Sequence, residues 1–145
     1  MIAVDTNVLV HAHRAESPFH DAARDVMRGL AEGSPAWGIP WPCVHEFYAK
    51  VTHSKIFRPP STREQAIRQL DAWLASPTVS LLGEGVDHWE RLSELVRRGR
   101  VEGPMVHDAR VAAICLSHGV AELLSADRDF GRFPDLVARN PLIRR

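Results

Sequence analysis

The sequence has little of what disulfide-rich, zinc-finger or membrane proteins require. It contains two cysteines among 145 residues, Cys43 and Cys115, too few for a zinc ribbon or a disulfide framework. Its apolar runs are only a few residues long, whereas a helix needs about 20 to cross a bilayer. Asp5 also stands where a signal peptide would need basic and apolar residues. We therefore expect buried free thiols, no membrane segment and a cytoplasmic location.

An excess of charge of either sign is also missing. The chain has 18 basic and 18 acidic residues and a formal net charge of zero, so bulk charge predicts neither a nucleic-acid nor a membrane partner. Lysine is rare: the basic residues are Lys50, Lys55 and 16 arginines, and the arginine side chain suits phosphate oxygens better. A genome that favours arginine codons, together with a solvated face, would explain the same composition. The candidate phosphate contacts are Arg97, Arg98, Arg100 and Arg110, with the tail residues Arg139, Arg144 and Arg145 as a second set.

The sequence contains the pattern of one ordinary domain. With 45% hydrophobic and 25% charged residues, a chain of this length can bury a core without disulfides. Short apolar runs that resemble strands alternate with segments of helical periodicity, which predicts a single α/β domain over residues 1–145 with a mainly parallel sheet. The predicted strands cover residues 2–4, 36–39, 79–82 and 122–125. The predicted helices cover residues 6–14, 18–33, 42–53, 61–75 (opened by a Ser61–Glu64 capping box), 86–98 and 104–118, with a short turn at 130–133.

Acidic residues occur where the chemistry of such a fold is located. Asp5 follows the first predicted strand, Asp127 follows the last, Asp108 lies near the start of a helix, and Glu46 borders an apolar helix stripe. Ligands of open parallel sheets bind at the carboxyl ends of the strands. Carboxylates gathered there repel one another, and a divalent cation relieves the repulsion. Ligand sets made only of oxygen favour Mg²⁺ or Mn²⁺, with Asp129 as a possible fifth ligand.

Each acid also has an ordinary structural explanation. Asp5 could cap a helix, Asp108 could interact favourably with the positive end of a helix dipole, and Asp127 could belong to a polar turn. Glu46 is harder to explain in this way, because an acid beside an apolar stripe gains nothing without a partner.

Four ordered motifs resemble the PIN-domain ribonucleases, and within them the VapC-type toxins of bacterial toxin–antitoxin pairs. These motifs are Ile2-Ala3-Val4-Asp5-Thr6-Asn7-Val8-Leu9, Glu46, His107-Asp108-Ala109-Arg110 and Leu124-Ser125-Ala126-Asp127-Arg128-Asp129-Phe130. The resemblance implies a three-layer α/β/α domain. It also implies a site in which Asp5, Glu46, Asp108 and Asp127 are catalytic and bind metal, with Asp129 as a further ligand. The polar residues Thr6, Asn7 and Ser125 match the family's supporting positions.

The same resemblance implies what the protein does. It predicts a Mg²⁺-dependent endoribonuclease, with Mn²⁺ as a possible substitute, that cleaves RNA phosphodiester bonds with an activated water. The expected protein is a homodimer that a cognate antitoxin holds inactive. RNA contacts are then expected at Arg97, Arg98, Arg100 and Arg110.

Three other interpretations stay open at this point. The acids could form a non-catalytic groove that binds a basic partner peptide, or the nuclease could process housekeeping RNA. A phosphatase that uses Asp5 as its nucleophile is the third. That chemistry requires a second acid two residues later, where this sequence has Asn7.

Overall fold

The structure, a computed structural model, describes residues 1–143. Arg144 and Arg145, part of the predicted second set of phosphate contacts, lie outside the described residues. The strands are β1 (Ile2–Val4), β2 (Trp37–Pro40), β3 (Val79–Leu82), β4 (Glu122–Leu124) and β5 (Ala138–Arg139). The helices are α1 (Thr6–His13), α2 (His20–Glu32), α3 (Trp41–Val51), α4 (Arg63–Leu74), α5 (His88–Arg98) and α6 (Val106–Ser117). Short 3₁₀ turns cover Gly103–Met105 and Arg128–Arg132.

The five strands form one sheet in the order β3-β2-β1-β4-β5, and every pairing within the described residues is parallel. The helices flank this sheet, so the predicted α/β fold with a parallel sheet is confirmed. The strand β1 lies at the centre, with Val4 beside Leu124 of β4. Parallel neighbours end at the same edge of a sheet, so the residues that follow β1 and β4 come together there.

The core lies between the sheet and the helices. Its largest fully buried side chains include Trp37, Phe47, Phe130 and Phe133. The helix α6 is buried on several sides through small and branched residues, Ala109 and 111–115, so no single apolar stripe marks it. This burial fixes the start of α6, which carries Asp108, against the sheet.

Of two helix caps considered in the sequence, one is as expected and one differs. Asp5 caps α1, and its carboxylate accepts the backbone N–H of Thr6. The capping box of α4 joins Thr62 and Gln65, not Ser61 and Glu64 as predicted. Ser61 is buried, and its hydroxyl contacts His13 and Arg14 instead.

Other element bounds shift by a few residues. The helix predicted from residue 18 begins at His20, the one predicted from residue 86 begins at His88, and the one predicted from residue 104 begins with a 3₁₀ turn. The strand β5 was not predicted, because two exposed residues give no apolar pattern.

Both cysteines are buried and free, as predicted. Among residues 1–143, none of the helices combines the length and the apolar character that crossing a membrane requires.

Candidate metal centre

Three carboxylates converge just beyond the carboxyl edge of the sheet. Asp108 comes from the first turn of α6, while Asp127 and Asp129 come from the turn after β4. One oxygen of each lies within 4.8 Å of the other two. This is the spacing that three ligands of one cation would have, and the donors are all hard oxygens.

Asp5 lies beside this group but is mostly enclosed. Its side chain is buried and accepts hydrogen bonds from the Thr6 N–H (2.8 Å), the Ser125 hydroxyl (2.7 Å), the Asn7 amide (3.2 Å) and the Cys43 thiol (3.4 Å). Burial raises the pKa of Asp5, and the hydrogen bonds from Ser125, Thr6 and Cys43 oppose the rise. No sequence pattern indicates the contact with Cys43, since a buried cysteine has many ordinary roles.

Ser125 and Asn7 connect Asp5 to the turn that carries the other acids. The Ser125 hydroxyl donates to Asp5 and accepts from the backbone N–H of Asp127 at 3.0 Å. The Asn7 amide donates to Ser125 at 3.1 Å, and its carbonyl accepts from the N–H of Ala126 at 3.0 Å. The start of α1 and the turn after β4 are therefore held in fixed register, which holds Asp127 near Asp5. Thr6, the third predicted supporting residue, contributes its backbone N–H, while its buried hydroxyl has no hydrogen-bond partner among the described residues.

Asp108 shows the electrostatic cost of the cluster. Its pKa is raised to about 6, mainly by burial and then by the charges of Asp127, Asp5, Asp129 and Glu46. A carboxyl group that titrates so close to neutral pH indicates that negative charge is crowded at this point.

Glu46 lies at the rim rather than in the tight group. It is exposed, and its carboxylate forms an ion pair with Lys50 one turn later in α3, at 3.0 Å. Glu46 and Lys50 are four residues apart on one helix, and this spacing is the sequence signal for such an ion pair. A groove of about 490 Å³ adjoins this rim, and its lining includes Glu46, Asp108, His45 and His107.

Two of the four arginines predicted to contact RNA phosphates already form ion pairs within the protein. Arg98 pairs with Asp135 (3.1 Å) and Glu94 (3.6 Å), and Arg110 pairs with Glu84 at 2.6 Å. Within residues 1–143, Arg97 and Arg100 form no ion pair. An RNA phosphate at Arg98 or Arg110 would have to compete with a carboxylate that is already in place.

Comparison with known proteins identifies the family to which the chain belongs. The family model described as PIN domain matches residues 2–136. Ribonuclease VapC43 of Mycobacterium tuberculosis is 37% identical over 142 residues, which are 98% of this chain and 96% of the relative. Ribonuclease VapC48 of the same species is 31% identical over 137 residues, 94% of each protein.

Solved structures show the same fold. A VapBC2 structure from Rickettsia felis matches with a TM-score of 0.67 and 22% identity, and the match covers 97% of this chain and 98% of that one. VapC20 of M. tuberculosis, described as a toxin that cleaves the sarcin–ricin loop, matches with a TM-score of 0.65 and 23% identity over 90% and 93% of the two chains. Because the family model covers residues 2–136 and two VapC ribonucleases are 37% and 31% identical over nearly the whole chain, the chain belongs to the PIN-domain family, among the VapC ribonucleases.

Proposed function

We propose that this ribonuclease hydrolyses RNA phosphodiester bonds with Mg²⁺ held by Asp108, Asp127 and Asp129, and that it is the toxin of a toxin–antitoxin pair. The observation that carries the metal site is the convergence of these three carboxylates from two separate segments. Oxygen-only donors fit Mg²⁺, and also Mn²⁺, better than Zn²⁺. When bound, such a cation supplies Lewis-acid stabilisation of the attacked phosphate and lowers the pKa of water.

The residues around the acids have distinct tasks in this proposal. Asp5 is a further catalytic carboxylate beside the three acids. Four hydrogen-bond donors hold its side chain in place. When substrate binds, the Glu46 carboxylate leaves Lys50 and moves into the site. There it can accept a proton from the attacking water. Because water is the nucleophile, no serine or cysteine beside a base is needed.

The proposed partners are RNA, a cognate antitoxin and a second copy of the chain. An antitoxin is supported by a solved structure of the same fold from Klebsiella pneumoniae, which is described as a toxin–antitoxin complex. Its inhibitory segment would be basic or aromatic, because the groove beside Glu46 and Asp108 carries negative charge. On this proposal the protein forms a homodimer, acts in the cytoplasm, and contacts RNA phosphates through Arg97, Arg98, Arg100 and Arg110.

The test is cleavage of single-stranded RNA by the purified full chain. We expect cleavage with Mg²⁺, none with a chelator, and products with a 5′-phosphate, since attack by water breaks the bond to the 3′-oxygen. Asp108→Asn should lower the rate by about a hundredfold or more, because it removes a charge that the cation needs.

The matched control is Asp25→Asn, which removes an exposed carboxylate of α2 that forms no ion pair within residues 1–143. It should cleave at the wild-type rate. Cleavage that persists in chelator, or that survives Asp108→Asn, would contradict the proposal. No cleavage of any RNA, with a basic peptide bound in the groove instead, would favour the non-catalytic interpretation.

A further inference from the structure

The basic residues of this chain are unevenly distributed. Between residues 47 and 70 the sequence has one acid, Glu64, and five basic residues, among them both lysines of the protein. The five are Lys50, Lys55, Arg58, Arg63 and Arg68. A neutral protein therefore has a strongly positive segment, which runs from the end of α3 into α4.

A cavity with a volume of about 710 Å³ lies on this segment. It is bounded by the end of α1, the loop before α4 and one face of α4. Its basic lining residues are Arg14, Arg58 and Arg68, and its one acid is Glu16. The remaining lining residues are polar or small.

One wall of the cavity is rigidly built. The Arg14 side chain is only 12% exposed and lies over the Phe57 ring, 4.5 Å from its centroid. It donates hydrogen bonds to Glu16 (2.7 Å), the Ser61 hydroxyl (3.1 Å) and the Pro59 carbonyl (2.9 Å). These contacts satisfy Arg14 and neutralise Glu16.

The other two arginines are free to bind a ligand. Arg58 and Arg68 are exposed, and within residues 1–143 neither forms an ion pair. Two unpaired guanidinium groups beside a polar cavity constitute a site for anionic oxygens, and phosphate is the group that arginine forks match best.

The cavity is close enough to the acidic cluster for one bound RNA strand to contact both. The helix α1 connects the two sites, since Asp5 caps its start and Arg14 follows its end. At 1.5 Å per residue, these two residues are about 13 Å apart along the axis. The acids themselves repel the RNA backbone, so the binding energy for phosphates must come from basic residues outside the acidic cluster.

We propose that the cavity lined by Arg14, Arg58 and Arg68 is a second RNA contact site, which binds a backbone phosphate several nucleotides from the one that is cleaved. The inference rests on the proposed ribonuclease function. It places a principal phosphate contact on α4 and the loop before it, in addition to the arginines around α5. An acidic segment of a partner protein is the competing occupant of the same charge pattern.

The test compares RNA binding by two double variants, both in an Asp108→Asn background that blocks cleavage. Binding of a short fluorescent single-stranded RNA is measured by anisotropy at several salt concentrations. Arg58→Ala with Arg68→Ala should weaken binding about tenfold and flatten the log–log salt slope by up to about 0.7, the value for one lost phosphate contact on a single strand. Arg58→Lys with Arg68→Lys, which keeps the charge, should retain most of the slope.

The control is Arg24→Ala with Arg28→Ala, which removes two exposed arginines of α2 that do not line the cavity. It should bind RNA as the parent does. An unchanged salt slope in the Arg58/Arg68 alanine variant would overturn the inference, as would loss of binding to an acidic peptide with RNA binding intact. Cleavage assays without the Asp108→Asn substitution keep the two proposals apart. If the wild type cleaves RNA and the Arg58/Arg68 alanine variant has an unchanged KM, only the inference is overturned. If the wild type cleaves no RNA but the alanine variant still loses RNA affinity, only the proposed function is overturned.

Discussion

At the scale of single residues, the proposed role of Asp108 in metal binding conflicts with the stability of the fold. Its pKa is raised to about 6 by burial and by four neighbouring carboxylates. Without a cation, the folded protein must hold this charge near the others at neutral pH. A residue that would bind a cation is therefore expected to destabilise the metal-free fold.

We predict that Asp108→Asn stabilises the metal-free protein at pH 7.5, by on the order of 1 kcal/mol after allowance for solvent screening. The sign follows from linkage. The pKa of Asp108 is higher in the folded state than in the unfolded state, so the folded state favours the protonated carboxyl. The contribution of this protonated form to stability is full below about pH 4 and is lost as the pH rises through about 6. Chemical denaturation in chelator at pH 7.5 and pH 5 measures it, and the gain should shrink at pH 5.

The exposed Asp135 provides the comparison, since Asp135→Asn removes a charge but relieves no crowding. An Asp108→Asn protein that is less stable than wild type at pH 7.5, or equally stabilised at both pH values, would show that the acids do not repel one another as described.

The sequence predicts which acids belong to the candidate site, but not how their side chains are arranged. Asp5, Asp108 and Asp127 could be found because strand ends and helix starts are predictable positions. The close grouping of Asp108 with Asp127 and Asp129, rather than with Asp5, depends on the turn after β4 and on the Ser125 hydrogen bonds. Contacts between residues over a hundred positions apart leave no local pattern.

At the scale of elements, the loop before α4 shows how a neighbour decides between two equivalent caps. Ser61 and Thr62 are both suitable N-cap residues, and each is followed three residues later by Glu or Gln. Ser61 is withdrawn into the wall of the basic cavity by His13 and Arg14. Thr62 is left to cap α4, with reciprocal bonds to Gln65 of 2.9 and 3.1 Å.

We predict that Thr62→Ala destabilises the fold by about 1 kcal/mol, because it leaves a backbone N–H of the first turn without its acceptor. In a chain of this size, the thermal midpoint should fall by about 2–4 °C. Thr62→Ser keeps the hydroxyl and serves as the control, with a midpoint close to that of wild type. Equal losses in both variants would mean that the threonine methyl group, not the cap, stabilises α4.

Periodicity predicted the helices and the four longer strands but not their exact ends. The burial of α6 on several sides and the two-residue β5 depend on what packs around them. Neither property is contained in the segment's own residues.

At the scale of the whole molecule, the topology brings the site together. The strand β1 pairs with β4 although more than a hundred residues separate them in the chain, and their parallel alignment brings Asp5 to the turn that carries Asp127. The helix α1 then leads away from the acids to the basic cavity. Acidic and basic sites at opposite ends of one helix suit an enzyme that must hold both a cation and a polyanion, in a chain with no net charge.

The most direct measurement is calorimetric titration of the metal-free full chain with Mn²⁺ at pH 7.5, without RNA. We predict saturable binding in wild type and in Asp135→Asn, and binding weakened by about tenfold or more in Asp108→Asn, which loses one of three converging ligands. If wild type takes up no Mn²⁺ at millimolar concentration, or if Asp108→Asn binds it as tightly as wild type does, then Asp108, Asp127 and Asp129 do not form a metal centre.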